Sequence, residues 1–235
     1  MATSNAPSAI NTDELKKAAA HWAVAQLTDG MVVGLGSRST ASFAVAAIGQ
    51  RVRDGLRIVG VPTSENTARQ AASLAIPLST LDEYPEIDVT IDGADEVELG
   101  TRNLIKGGGG NLLREKIVAS ASKRVVIVVD RSKLVDRLGR NAPIPVEVVP
   151  FGWKSTERRL TVLGSVPRVR LDAEGKMFVT DGGNFILDCT FGAVESAGEL
   201  QTRLDAAVGV VEHGLFLGIA SQIVVGDLSG VRILE

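Results

Sequence analysis

"RVVIVVDRSK", residues 124 to 133, decides the fold. Five successive β-branched residues, Val125 to Val129, read as a strand, and no polar residue alternates with them. A strand apolar on both sides is covered on both sides, which is the pattern of a parallel sheet rather than a half-exposed antiparallel one. Working outward, the same unbroken pattern recurs in "MVVGL" (31–35), "RIVGV" (57–61) and "IDVTID" (87–92). Between these strands lie helical segments, "STASFAVAAIGQRV" (39–52), "SENTARQAASL" (64–74) and "NLLREKIVASA" (111–121). A further helix, "NTDELKKAAAHWAVAQL" (11–27), opens the series. Asn11 is expected to cap it with Glu14 reaching back, and Leu15, Ala18, Trp22 and Ala25 recur at helical spacing. Strands alternating with helices make an α/β fold with helices on both faces.

The pattern changes after about Leu138. "APIPVEVVP" (142–150) carries prolines, which suit an edge strand or a connection. A helix ("STERRLTVL"), a strand ("VPRVRL"), a turn ("DAEG"), two strands ("KMFVT", "NFILDC") and a helix ("AGELQTRLDAAV") follow. These suggest a small α+β unit. The tail "LFLGIASQIVVGDLSGVRILE" (215–235) resumes short apolar strands and is expected to rejoin the first sheet.

The totals exclude several classes. With 235 residues, 45% of them hydrophobic, the chain can bury a substantial core. A net charge of -3 supplies no basic face for nucleic acid, so an anionic ligand would need locally placed cations. Cys189 stands alone, which excludes an internal disulfide and a cysteine zinc site, and its apolar surroundings suggest a buried thiol. His21 and His213 are too few for a histidine-rich metal site. No apolar run approaches a membrane span, and "MATSNAPSAI" has no h-region and no arginines, so a cytoplasmic protein with a frayed N-terminal arm is expected.

Polar clusters follow the strands of the first half: "GSRST", "PTSENT", "DGADE" and "RSK". Open parallel sheets bind ligands beyond the carboxyl ends of their strands, so these loops should meet. "GLGSRST" begins like a dinucleotide fingerprint with Gly34 and Gly36, but Ser39 stands at the third glycine, no acid ends the following strand, and Asp54 lies before it. NAD is therefore rejected. The hydroxyls of Ser37, Ser39 and Thr40 at a helix start can bind a phosphate, or can simply cap the helix. Asp92 and Asp95 lie in one turn, which an Asp cap alone would explain. They could hold Mg²⁺, but Lys106 and a run of glycine N–H donors nearby suit an anion better. "KGGGG" (106–110) can aim several N–H groups at one oxygen, with a full charge beside them. Glu115 follows on a helix, flanked by Arg114 and Lys116, where a solvated face is the ordinary reading. A phosphate cradle, an oxyanion site and free carboxylates together are the equipment for moving a proton next to a carbonyl in a phosphorylated sugar.

With "DELKK" (13–17), "GLGSRSTA" (34–41), "IDGADEV" (91–97), "KGGGGNLLREK" (106–116), "DRSKLVDRLG" (130–139), "PIPVEVVPFGW" (143–153), "GGNFILD" (182–188) and "HGLF" (213–216), the sequence resembles ribose-5-phosphate isomerase, type A, over nearly its whole length. The resemblance implies interconversion of ribose 5-phosphate and ribulose 5-phosphate in the pentose phosphate pathway, without metal or coenzyme. It implies a Rossmann-like catalytic domain (1–138 and 212–235) interrupted by a small α+β, ferredoxin-like domain (139–211), in a homodimer or homotetramer. Glu115 would be the base, moving a proton between C2 and C1. Lys106 with Gly107, Gly108 and Gly109 would form the oxyanion and substrate loop. Asp92 and Asp95, with Gly93 and Ala94 between them, would handle hydroxyl protons and ring opening. Ser37, Ser39 and Thr40 would contact substrate at the phosphate, near Lys16 and Lys133. Two positions depart from the family pattern. Gly182 stands where asparagine is more usual, and Arg38 stands where the family loop has glycine. If that glycine sits at positive φ, an arginine there is strained, and the expectation is that its guanidinium folds over the phosphate in return.

Two rival readings were open to the same sequence. An amino-sugar-phosphate deaminase would lean on a catalytic histidine, and neither histidine falls in the cluster. A sugar-phosphate sensor would need a DNA-binding element, for which one arm and one helix are too little.

Overall fold

The computed structural model describes residues 12–234, so the expected Asn11 cap and the N-terminal arm lie outside the described residues. The first helix, α1 (Thr12–Ala25), has Asp13 and Glu14 in its first turn, where negative charge suits the helix dipole. It buries Ala19, Ala20, Ala23 and Val24, small residues that let the helix lie close to its neighbours. The alternating series then runs β1 (Val32–Leu35), α2 (Arg38–Arg53), β2 (Val59–Pro62), α3 (Glu65–Ser73), β3 (Val89–Asp92). Two short strands follow, β4 (Glu96–Glu98) and β5 (Leu104–Ile105), then α4 (Leu112–Ser120), β6 (Val125–Asp130) and β7 (Leu134–Val135). The inserted segment holds β8 (Ile144–Val148), α5 (Trp153–Val162), β9 (Val166–Val169), β10 (Phe185–Thr190), α6 (Ala197–Asp205) and β11 (Val210–His213). The chain ends in β12 (Leu215–Phe216), β13 (Gln222–Asp227) and β14 (Gly230–Leu234).

The main sheet has the order β14-β13-β6-β3-β1-β2, parallel throughout except for β14 at the edge. Every residue of β1, β3 and β6 is buried; the apolar runs of β1 and β6 demand it, whereas β3 also buries the polar Thr90 and Asp92. The tail rejoins this sheet as expected. From β1 the chain winds to β2 on one side and to β3 on the other, so β1 and β3 meet at a topological switch point.

The inserted segment follows the order βαββαβ, and its antiparallel sheet runs β11-β8-β10-β9, the ferredoxin-like arrangement. Cys189 is buried in its core, and burial pushes the thiol up to about 12. Two expectations need correction here. "APIPVEVVP" forms β8, an interior strand rather than an edge or connection. Pro145 is tolerated because it lies past the His213–Val146 pair, where β11 ends, and its carbonyl still accepts the Gly214 N–H at 2.7 Å. "KMFVT" is not a strand and makes only isolated bridges, Leu171 to Met177 and Val179 to Phe185. Met177 and Val179 face outward, with no sheet to bury them.

A third sheet, β12-β5-β4-β7, was not legible, since strands of two or three residues show no periodicity. It joins the other two. Val97, Leu104 and Phe216 pack with Val125, Ile127 and Ile223 on one face of the main sheet. Ile105, Val135, Leu138 and Leu215 pack with Ile144, Val146 and Leu187 of the inserted segment.

Candidate active site

The switch point is where polar residues gather. The chain leaves β1 through Gly36, which has no room for a side chain: a Cβ would lie 2.2 Å from Asp92 Oδ1. That closeness lets the Ser37 N–H donate to Asp92 Oδ1 at 3.1 Å, and the Gly93 N–H donates to it at 2.8 Å. Lys106, at the end of β5, donates to Asp92 Oδ2 at 2.9 Å and to the Gly93 carbonyl at 2.7 Å. From the first turn of α4, Glu115 brings Oε2 to 3.2 Å from the same ammonium. All three side chains are buried. No described group donates Oε2 an aligned hydrogen bond, so it remains open to a proton.

The charges at this centre act on one another. Burial raises the Glu115 carboxyl above its ordinary 4.5, to about 7, against the pull of Lys106 and with help from Asp92. Burial pushes Lys106 down, but the charges of Asp92 and Glu115 more than offset it, and the ammonium is held above its ordinary range.

In front of Lys106 opens a cavity of about 140 Å³. Its walls are Lys16, Ser37 to Thr40, Gly93 to Asp95, Lys106, Gly107 and Lys133. Every one of these was singled out in the sequence. Asp92 and Glu115 contact the Lys106 ammonium and are not among the residues lining this cavity. Gly108 faces an adjoining cavity of about 250 Å³, beyond a partition made by Arg38 Nη1 donating to Asp95 Oδ1 at 2.8 Å. The other Asp95 oxygen accepts the Gly108 N–H at 2.7 Å. A Cβ on Gly108 would lie 2.3 Å from Arg38 Nη1, and one on Gly109 would lie 2.6 Å from Arg38 Cδ.

Arg38 has φ +71°, so the strain expected of an arginine at a glycine position is present, but the guanidinium lies on Asp95. Ser37 stands at the N-cap of α2 without capping it. Its hydroxyl turns inward to Thr63, Ser64 and Thr67, at 2.7, 2.9 and 3.2 Å. Ser39 and Thr40, in the first turn of α2, line the cavity. Lys16 also pairs with Asp13 at 3.2 Å.

Neither histidine lines the cavity. Buried His213 faces Asp205 Oδ1 at 3.0 Å, close to Glu212. Among the described residues this is the grouping that could hold a metal ion, but Lys116 already donates to Glu212 at 2.6 Å. Sequence reading missed one pair beside the glycines. Arg170 reaches the Gly107 carbonyl while gripping Asp188. Arg170 reads as part of an ordinary strand, and only the β9–β10 register brings Asp188 beside it.

A family profile described as "Ribose 5-phosphate isomerase A (phosphoriboisomerase A)" matches residues 59–230. Ribose-5-phosphate isomerase A of Gloeobacter violaceus is 55% identical over 225 residues, covering 96% of this chain and 97% of that protein. The protein of the same name from Thermomicrobium roseum is 48% identical over 226 residues, covering 96% and 95%. Among solved structures, ribose 5-phosphate isomerase A from Methanocaldococcus jannaschii superposes with a TM-score of 0.92 at 42% identity, covering 95% of this chain and 99% of that one. A D-ribose-5-phosphate isomerase in complex with phospho-erythronic acid superposes at 0.93 with 38% identity, covering 96% and 100%.

Proposed function

The chain belongs to the ribose 5-phosphate isomerase A family, and from that premise we propose how its residues divide the work. The protein is an aldose–ketose isomerase that interconverts D-ribose 5-phosphate and D-ribulose 5-phosphate. The reaction removes a proton from C2 of the aldose and returns one to C1, through an enediolate.

Glu115 is the base. The observation that carries this is Oε2, buried, open to a proton and 3.2 Å from Lys106. Lys106 and the Gly108 N–H stabilise the oxyanion as it forms. Asp95 reaches the cavity and handles the hydroxyl protons and ring opening, whereas buried Asp92 holds Lys106 in place. The phosphate sits at the other end, against Lys16, Lys133, Ser39, Thr40 and the start of α2. With the Lys106 ammonium on Asp92, the aspartate pair suits an anionic substrate rather than Mg²⁺, and the reaction runs without metal or coenzyme.

The residue ranges 1–138 with 212–235, and 139–211, are our division into catalytic and inserted domains. Among the described residues no helix is long and apolar enough to cross a membrane. We assign the enzyme to the cytoplasm, from its small phosphorylated substrate, and to a homodimer or homotetramer, with no nucleic-acid or membrane partner. Exposed Phe151, Val162 and Val208 on the inserted segment support association between copies, which light scattering counts directly.

The roles are tested by following ketose formation from ribose 5-phosphate after exhaustive chelation, in the wild type and in Glu115→Gln. The wild-type rate should be unaffected by chelation. The variant should lose about 10²–10⁴-fold in kcat with KM little changed, the usual worth of a general base. A variant keeping half its activity would assign the base to an aspartate, and a rate restored by Mg²⁺ or Zn²⁺ would overturn the metal-free mechanism.

A further inference from the structure

The guanidinium of Arg170, just past β9, donates hydrogen bonds to two partners and lies 6.0 Å from the centroid of the Phe178 ring. Nε donates to Asp188 Oδ2 at 2.9 Å and Nη2 donates to Asp188 Oδ1, so the carboxylate fixes the plane of the fork. The remaining Nη1 donates to the Gly107 carbonyl at 2.8 Å. That carbonyl also accepts the Gly110 N–H at 2.9 Å, closing a turn across the glycines. From the same inserted segment, the Phe178 ring lies so close to Gly110 that a Cβ there would be 2.3 Å from it.

The Gly107 carbonyl and the Gly108 N–H belong to one peptide unit. In a planar trans peptide these two groups point in opposite directions. Drawing the carbonyl toward Arg170 therefore turns the N–H away from it, onto Asp95 Oδ2 at 2.7 Å, at the partition between the two cavities. Gly107, at φ +97°, has no Cβ to fix the orientation, so the peptide is held by the two hydrogen bonds on its carbonyl, one from Gly110 within the loop and one from Arg170 outside it.

We propose that Arg170 is a positioning residue for the isomerisation: by holding the Gly107–Gly108 peptide it aims the Gly108 N–H at the enediolate oxyanion. This rests on the reading of the glycine loop as the oxyanion site. Arg170 acts through the peptide and need not touch substrate. The inserted segment thereby completes a site whose acids and base come from the main sheet and α4.

The test uses Arg170→Lys, which keeps a charge beside Asp188 but cannot grip it as a fork and still reach Gly107. Two inhibitors are compared: phospho-erythronic acid, with a carboxylate where the enediolate charge forms, and erythritol 4-phosphate, with an alcohol there. The wild type should prefer the acid. In Arg170→Lys, kcat should fall roughly ten- to a hundredfold, as expected for a slight misplacement of a catalytic group, and the preference should shrink by a similar factor. Inhibition by inorganic phosphate, which reads the other end of the site, should not change. Asp188→Asn, which loosens the fork at nearly constant size, should show the same split to a smaller degree and serves if Arg170→Lys is unstable. If the preference and kcat are retained, or if phosphate affinity falls equally, Arg170 does not position the loop. If the wild type itself shows no preference for the acid, the oxyanion reading fails, and the proposal with it.

Discussion

At the scale of single residues, the site turns on a carboxyl that is hard to ionise and an ammonium that is hard to neutralise. Burial holds Glu115 at about 7, close to a working pH, where a base is both available and strong enough to take a carbon-bound proton. Below that value Glu115 carries a proton and cannot accept another, so kcat/KM should fall as pH drops through about 7. A pH profile checks this, and an acid limb near 4.5 would instead point to an ordinary, solvated carboxylate. Arg38 is the residue at which sequence and structure diverge most usefully. The family's glycine raised positive φ only as a condition, which φ +71° meets, and nothing in sequence could foretell that the partner of Arg38 would be Asp95, 57 positions away. Relief of left-handed strain in Arg38→Gly should return about 1–2 kcal/mol. The half-exposed ion pair lost is worth about 0.2–1 kcal/mol, and a glycine's extra entropy about 0.5–1 kcal/mol. These nearly cancel. Arg38→Gly should therefore melt close to the wild type and keep its KM for ribose 5-phosphate at low and high salt. A rise in KM of about tenfold or more at low salt would place the guanidinium on the phosphate after all.

At the scale of elements, four successive glycines turn out to have separate reasons. Gly107 and Gly110 are left-handed, at φ +97° and +81°, and Gly108 and Gly109 lie beneath Arg38. The sequence showed that the run must matter, because a flexible link needs no such tetrad. It could not show which neighbour each glycine accommodates. The long strands were legible because burial on both faces leaves no alternation. The two- and three-residue strands of the bridging sheet were not, and "KMFVT" misled because its outward side chains have no sheet to cover them. The turn between β1 and α2 allows a cleaner test than the glycine run, since Gly36 is not left-handed and only space is at stake. Gly36→Ala would put a methyl 2.2 Å from Asp92 Oδ1. Asp92 must then shift, and Lys106 loses its 2.9 Å partner. We expect kcat to fall on the order of a hundredfold, with inhibition by inorganic phosphate retained, because the phosphate end is not displaced. Equal loss at both ends would mean that the whole β1–α2 turn had moved.

At the scale of the molecule, three sheets share continuous cores, so charge buried at the junction bears on the stability of the whole chain. Glu115 binds its proton more tightly in the folded state, at about 7, than in the unfolded one, near 4.5. A group raised in this way favours folding fully below the unfolded value and loses that contribution as pH rises through the folded value. The wild type should therefore lose stability from Glu115 between about pH 4.5 and 7, by an amount on the order of 3 kcal/mol. Lys106 stays charged across this window because its pKa is held above the ordinary range, and it adds no slope there. His213, held below 6.5 by burial, slopes the other way, since the unfolded chain takes up its proton first as pH falls. It is common to the wild type and Glu115→Gln and drops out of their difference. Whatever the offset between the two proteins at pH 5, the melting temperature of Glu115→Gln relative to the wild type should climb as pH rises toward 7 and level off above it. Melting curves of both proteins between pH 5 and 8.5 measure that climb. A difference that stays flat would mean Glu115 ionises as readily inside the fold as outside it, and the enzyme would then hold its base without cost to stability, contrary to the usual opposition between a buried catalytic charge and a stable core.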